Sequence, residues 1–431
     1  MVLLDKAGWE CVPDAELADI IIVNSCGFIE SAKQESINAV LQWRKIYPGK
    51  KILLAGCLAQ RYAKELSKTL TEADGFMGVN DIAQIVQTAE NLTNGTEKTD
   101  ANPAHVTLHT GERPLLSLPG SAYVKISEGC NNRCSFCAIP LIRGSLVSRT
   151  IPDIVEECRV LLSRGIVELN IIGQDIGAFG TDGTAQTAAK LSELLNAISS
   201  LEGHFWVRLL YIHPDHFPVQ ILDIMEKDER FLPYFDIPFQ HASSKILTAM
   251  NRRGTAEKYL QLLETIRRRL PRAVIRSTFL LGFPGETEKD FQALLDFQEK
   301  AELDWLGCFT YSREEGTSAY SMKERVPAKT ATARKQTIEE RQVPITEKNM
   351  NRFIGQNMEV LIEERIDSAA EDGETFWLGR LYCQAPDIDG AAVIVGGAGG
   401  ESLQTGKFAK CKAIDRRGFD IAVSCHCQGS H

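Results

Sequence analysis

Short apolar runs alternate with amphipathic helical stretches through most of the chain. Asp19-Ile-Ile-Ile-Val23 runs into Asn24-Ser25-Cys26, and Lys51-Ile-Leu-Leu-Ala55 runs into Gly56-Cys57. Apolar runs of this length, spaced by helical patterns, predict strands of a parallel α/β sheet buried on both faces. Cys26 and Cys57 then fall at the carboxyl ends of strands, the edge where open α/β sheets bind ligands.

The polar stretch from Thr93 to Pro103 breaks the pattern and reads as part of a linker. Beyond it, six strand candidates begin near Tyr123, Val167, Trp206, Tyr234, Val274 and Asp304, most of them separated by amphipathic helices such as Ile154 to Arg164. Repeated β/α units predict a barrel, and six units in place of eight leave it partly open, with room for a bulky substrate. Residues 328–352 are charged and helix-favouring. From about Gly355 the pattern changes to short alternating strands with Gly-rich turns, as in Met358–Glu363 and Ala391–Val395, which predicts a small β-barrel. The expected organisation is an incomplete parallel α/β domain over 1–95, a linker over 96–115, a partial (β/α)6 barrel over 116–327, a connecting helix over 328–352, a β-barrel over 353–424 and a tail over 425–431.

A chain of 431 residues with 44% hydrophobic content suits several soluble domains. No apolar run reaches the roughly 20 residues of a membrane helix, and the amino terminus lacks a signal-peptide pattern. A cytoplasmic protein is expected. Its formal net charge of −9 disfavours a surface built to neutralise nucleic-acid phosphates. Twelve cysteines without the density of a secreted disulfide scaffold point to thiolate ligation of metal.

The sharpest chemical signal is Cys130, Cys134 and Cys137, a C-x3-C-x2-C cradle directly after the barrel strand Ala122–Ile126. Three soft thiolates hold three irons of a [4Fe–4S] cube and leave the fourth open to a substrate. The amino and carboxylate groups of S-adenosylmethionine (SAM) chelate such an iron in radical SAM enzymes, where electron transfer releases a 5′-deoxyadenosyl radical. A structural zinc site is the alternative, but it uses four ligands in paired motifs and no second pair lies nearby.

Around these cysteines, Glu128 to Cys137, Pro140 to Gly144 and Ser148-Arg149 resemble the methylthiotransferase family. The likeness continues through Gly173-Gln-Asp175, Asp236 to Ser243, Met250 to Thr255 and Gly282 to Thr287, and ends in a tail similar to the family's TRAM β-barrel. The resemblance implies SAM and two [4Fe–4S] clusters, the second held by three cysteines of the amino-terminal domain. Cys26 and Cys57 match two of them. The family's remaining cysteine lies on a first strand upstream of Asn24-Ser25-Cys26; here Met1 already falls in what reads as the first helix, so that strand and cysteine are absent. Cys11 aligns with a non-ligand stretch.

One branch of the family modifies an adenosine of transfer RNA, the other an aspartate of ribosomal protein S-twelve. Asp236 to Ser243, Phe309 to Gly316 and Gly379 to Gly390 look like the protein-modifying branch. From residue 351 onward, eight Lys and Arg stand against twelve Asp and Glu, 8 − 12 = −4, which favours a basic protein over RNA. The implied reaction replaces a β-carbon hydrogen of aspartate with a methylthio group, with SAM as radical source and methyl donor. Expected partners are ribosomal protein S-twelve, free or in the small subunit, and an electron donor such as flavodoxin or ferredoxin; neither membrane nor transfer RNA is expected. Methylthiolation of a transfer RNA adenosine is the alternative reaction, and an inactive module that only binds the ribosomal protein is the alternative from another class.

Further candidates each have a plain structural reading. Gln174 and Asp175, after the second barrel strand, suit SAM or an ordinary polar loop. Gly282, Pro284, Gly285 and Glu286 suit SAM contact or a tight turn before an acidic helix start; the Lys-Ser/Thr of a phosphate loop is missing. Arg143 and Arg149 suit substrate binding or salt bridging. His213 and His241 read as structural, and Cys158, Cys308, Cys383 and Cys411 as packing residues. The segment from Cys425-His-Cys427 to His431 reads as a tail.

Overall fold

The computed structural model describes residues 1–95, 115, 117–183, 190–367, 375–395 and 403–425. The linker expected over 96–115 lies almost wholly outside them. The chain divides into two compact units. The first comprises Met1–Leu115, Ser127–Val147 and Ser312–Met322, and the second Leu116–Ile126, Ser148–Tyr311 and Lys323–His431.

In the first unit, strands β1 (Ile20–Ser25), β2 (Lys51–Gly56) and β3 (Gly75–Met77) form a parallel sheet in that order. The middle strand explains the continuous apolar run: Ile52 and Leu54 pack with Ile21, Val23, Val40 and Phe76, whereas Leu53 and Ala55 pack with Leu4, Met77, Ile85 and Leu92. Successive side chains of β2 thus feed two cores on opposite faces of the sheet. The segment Ser312–Met322 is fastened to this unit by Glu314, whose Oε2 accepts from Arg61 at 2.7 Å and from Lys33 at 3.1 Å.

The second unit carries β4 (Ser121–Lys125); β5 (Ser127–Glu128) and β6 (Val147–Ser148) flank the cysteine loop that follows it in the chain. Next come β7 (Glu168–Ile172), β8 (Trp206–Leu209), β9 (Phe231–Asp236), β10 (Val274–Leu281) and β11 (Trp305–Thr310). β4, β7, β8, β9, β10 and β11 pair in parallel in that order, a six-stranded open barrel as the spacing predicts. Leu169, Ile171, Val207 and Leu209 point to the surrounding helices and are fully buried. The alternate positions, Glu168, Asn170, Arg208, Tyr234, Asp236 and Arg276, form the inner face.

A helix over Ala328–Met350 leads to the closed barrel of β12 (Asn357–Asp367), β13 (Thr375–Arg380), β14 (Ala392–Ile394), β15 (Phe408–Arg417) and β16 (Asp420–Cys425). The segment after β13 enters the open barrel. Arg208 Nη1 donates to the Tyr382 carbonyl at 2.8 Å, Trp305 Nε1 to the Cys383 carbonyl at 2.8 Å, and the Tyr234 hydroxyl to Asp389 at 2.6 Å. Trp206, Tyr234 and Trp305 share one apolar core with Leu361, Leu381 and Val423.

Two cysteine readings need correction. Cys411 is not a lone packing residue, and Cys425 is not part of a tail. Antiparallel pairing of β15 with β16 sets them opposite each other, with Cα atoms 4.0 Å apart, and a disulfide joins them. Pairing between strands, invisible in sequence spacing, is the reason. Residues 426–431 lie outside the described residues. Cys11 is exposed; Cys158, Cys308 and Cys383 are buried as expected of packing residues.

Candidate functional site

The amino-terminal cysteines are placed by the sheet. Parallel pairing sets Ser25 opposite Gly56, so Cys26 and Cys57 follow at neighbouring strand ends. The two turns touch: a Cβ on Gly27 would lie 2.6 Å from the Cys57 carbonyl oxygen, so only glycine permits this approach. The Cys26 thiol is exposed, while its amide donates to Ser36 Oγ at 3.2 Å. Cys57 opens the helix Cys57–Thr69.

Cys130, Cys134 and Cys137 belong to the same unit and are partly buried. Their loop is closed by the Cys130 amide on the Gly144 carbonyl at 3.2 Å, and wound into a turn by the Cys137 amide on the Cys134 carbonyl at 3.0 Å. Gly129 has φ 76°, and a Cβ there would lie 2.2 Å from the Ser145 oxygen. Three thiols on one tightly wound loop fit the donor set of a [4Fe–4S] cube with one open iron. Among the described residues, no group of three or more His, Cys, Asp or Glu side chains is arranged to hold a single metal ion.

Arg143 links Glu128, two residues before Cys130, to Cys57. Its Nη1 lies 3.2 Å from both Glu128 carboxylate oxygens, and its Nη2 donates to Cys57 Sγ at 3.4 Å. Arg143 thus sets a positive charge within hydrogen-bond reach of the Cys57 sulfur.

In the second unit, Gln174 and Asp175 follow β7 and lie in the loop there. Asp175 Oδ1 accepts from the amides of Gly177 and His213, at 3.0 and 3.1 Å, and so braces the turns after β7 and β8. Gly282, Pro284, Gly285 and Glu286 form the turn after β10. Glu286 is committed to it: one oxygen accepts from the Gly282 amide at 2.8 Å and the other from Arg334 at 2.6 Å. A ligand at this turn would therefore meet backbone and glycine surface more than the Glu286 carboxylate. Arg149 pairs with Glu157 and donates to the Lys125 carbonyl at 2.9 Å, bracing the helix Ile151–Ser163.

Both histidines act as local acceptors. His213 Nδ1 takes the Asp215 amide at 3.2 Å, and burial together with Arg252 pushes its pKa down to about 2. His241 Nδ1 takes the amides of Ala242 and Ser243 at 2.9 and 3.0 Å.

The polar inner face of the barrel does not stand out from strand periodicity alone. Glu168 is fully buried between Arg208 (3.0 Å) and Arg380 (2.6 Å). Burial raises its pKa, but the two guanidinium groups outweigh that and hold it at about 2. Asp236 is the opposite case. Burial, aided by Asp389 and opposed by Arg276, pushes it up to about 6. Charged residues at inward positions of otherwise apolar strands are the signal that exposes this face.

The model of the radical SAM superfamily matches residues 124–297, that of uncharacterized protein family UPF0004 matches 1–78, and that of the TRAM domain matches 354–425. Ribosomal protein uS12 methylthiotransferase RimO of Treponema denticola is 46% identical over 447 residues, covering 97% of this chain and 95% of the relative. The protein of the same name from Acetivibrio thermocellus is 40% identical over 431 residues, covering 97% and 92%. Among solved structures, the radical S-adenosylmethionine methyltransferase TsrM of Kitasatospora setae, with cobalamin and a [4Fe-4S] cluster bound, superposes with TM-score 0.52 at 15% identity, covering 68% of this chain and 61% of that one. That last likeness concerns the fold alone. Cysteine cradle, barrel, terminal β-barrel and whole-length identity lead to one assignment: the chain belongs to the RimO family of radical SAM methylthiotransferases.

Proposed function

We propose that this enzyme replaces a hydrogen on the β-carbon of an aspartate in ribosomal protein uS12 with a methylthio group. The observation that carries the reading is the 46% identity, spanning 97% of the chain, to a uS12 methylthiotransferase. The excess of four acidic residues beyond position 350, 12 − 8, supports a basic protein partner over transfer RNA.

Cys130, Cys134 and Cys137 would hold the cluster that binds SAM. Cys26 and Cys57 would supply two of the three thiolates that the resemblance gives an auxiliary [4Fe–4S] cluster, with Arg143 beside the second thiol. Such clusters supply the electron that cleaves SAM to a 5′-deoxyadenosyl radical and a site for the sulfur to be transferred. In the net reaction the substrate hydrogen leaves in 5′-deoxyadenosine, a second SAM gives the methyl group, a sulfur donor gives the sulfur atom, and a donor such as flavodoxin or ferredoxin gives the electrons. The chain contributes position. Gln174 and the turn Gly282–Glu286 offer polar and backbone groups to SAM, while Asp175 and Arg149 keep the neighbouring loops fixed. These partners fit a cytoplasmic enzyme.

The test is competition. Reconstituted enzyme, SAM and reductant are mixed with uS12 and transfer RNA together, and both are examined by mass spectrometry. Methylthiolation of one aspartate supports the reading; modification of RNA, or of neither, overturns it.

A further inference from the structure

Asp236, the last residue of β9, pairs in register with Arg276 of β10, and both side chains face the inside of the open barrel. Asp236 is 1% exposed, and neither carboxylate oxygen meets a donor at ordinary hydrogen-bond length and angle, although the Arg276 guanidinium and the Tyr211 backbone stand nearby. The nearest cation, Arg276 Nη1, stands 3.6 Å away, beyond an ordinary hydrogen bond. Buried carboxylates are normally satisfied, because an unmet acceptor carries the full cost of its desolvation. A donor brought by a ligand would satisfy this one.

The surroundings define that donor. Asp389, its side chain 1% exposed, lies 3.5 Å from Arg276 Nε, so two carboxylates share one guanidinium and the site carries a negative excess. Asp389 Oδ2 already accepts from the Tyr234 hydroxyl at 2.6 Å and the Ala385 amide at 2.9 Å, whereas both Asp236 oxygens are without such a bond. Space is kept by Gly307 on β11: a Cβ there would sit 3.6 Å from Arg276 Nη2, 3.8 Å from the Phe309 ring and 3.9 Å from Thr278 Oγ1. Phe309 is 54% exposed and sets an apolar ring beside Gly307. Tyr211, beside Asp236, has left-handed backbone with φ 67°, and backbone strain of this kind gathers at ligand sites.

We propose that Asp236, set by Arg276 and Asp389, is a specificity-determining residue that receives a basic side chain of the substrate protein next to the modified aspartate. An aliphatic stem would lie along Phe309 while its charged end reaches Asp236. This inference rests on the protein substrate proposed above.

The test uses the reconstituted enzyme and uS12, read by initial rates of methylthiolation. Asp236→Asn is expected to raise KM at least about tenfold, with a smaller change in kcat. Replacing each Lys and Arg near the target by Ala in turn, one replacement should raise KM for the wild type and do nothing further in Asp236→Asn. A merely structural role would not produce that coupling. Should Asp236→Asn fail to fold, Gly307→Ala serves, since its nearest contact is of ordinary length and the methyl group only fills the space beside Arg276; its KM should rise as well. If wild-type enzyme leaves uS12 unmodified, the proposed function falls and this inference with it. If uS12 is modified but neither variant changes KM, only this inference falls.

Discussion

Glu168 on β7 and Arg380 at the end of β13 meet inside the barrel, Oε2 to Nη2 at 2.6 Å, although 212 residues separate them. Arg208 approaches the same carboxylate at 3.0 Å, and Ser121 Oγ donates to it at 2.8 Å. Removing one member of such a buried group leaves the others charged and unpaired. Glu168→Gln is therefore expected to lower stability by about 3–5 kcal/mol, read from urea denaturation at neutral pH. A loss below about 1 kcal/mol, the worth of an exposed pair, would refute this account of the junction.

The same pair gives a pH dependence with a definite sign. Glu168 has its pKa lowered from 4.5 to about 2 on folding. Its contribution to stability is fully present above the unfolded value and is lost as pH falls from about 4.5 toward about 2. The difference in unfolding free energy between wild type and Glu168→Gln should shrink across that window.

Arg143 should matter to the auxiliary site through Cys57 Sγ, 3.4 Å from its Nη2. On this view Arg143→Ala loses Cys26- and Cys57-bound iron to a chelator several-fold faster than wild type, with Arg143→Lys intermediate. Equal rates in all three would assign Arg143 to Glu128 alone.

Iron content separates the two cysteine sets. After anaerobic reconstitution, wild type should hold about eight irons, and a variant with Ala at 130, 134 and 137 about four, as two [4Fe–4S] clusters require. Counts of about four and zero would mean that Cys26 and Cys57 hold no cluster.

Asp236 supplies a test of substrate recognition by titration. It faces Arg276 on β10, Asp389 after β13, and the phenols of Tyr211 and Tyr234, and its carboxyl is pushed up to about 6. Since the protonated acid carries no charge to hold a basic side chain, kcat/KM for uS12 should fall as pH drops through about 6, beyond any fall seen in Asp236→Asn. Parallel profiles in the two enzymes would contradict this role.

Much of the architecture was legible because it rests on local signals. The buried run Ile52–Ala55, the six spaced strands and the helix near 328–350 follow from periodicity, and Cys130, Cys134 and Cys137 from spacing of seven residues or fewer. What stayed hidden depends on contacts distant in sequence. Nothing local says that Tyr382, Cys383 and Asp389 bond to Arg208, Trp305 and Tyr234, or that Cys411 meets Cys425. Arg143, read as a substrate ligand or a salt bridge, lies on Glu128 and Cys57, and Glu286 is held within its own turn. Asp236 stands within a recognisable motif, but its setting between Arg276 and Asp389 comes from strand pairing and a distant loop.

The most direct test of the central claim follows the hydrogen atom. uS12 carrying aspartate deuterated at the β-carbon is incubated with reconstituted enzyme, SAM and reductant, and both the protein and the released 5′-deoxyadenosine are analysed by mass spectrometry. The account predicts a methylthio group on one aspartate and deuterium in the 5′-deoxyadenosine. Methylthiolated uS12 with no deuterium in that product would contradict radical abstraction from the β-carbon, and unmodified uS12 would contradict the proposed substrate.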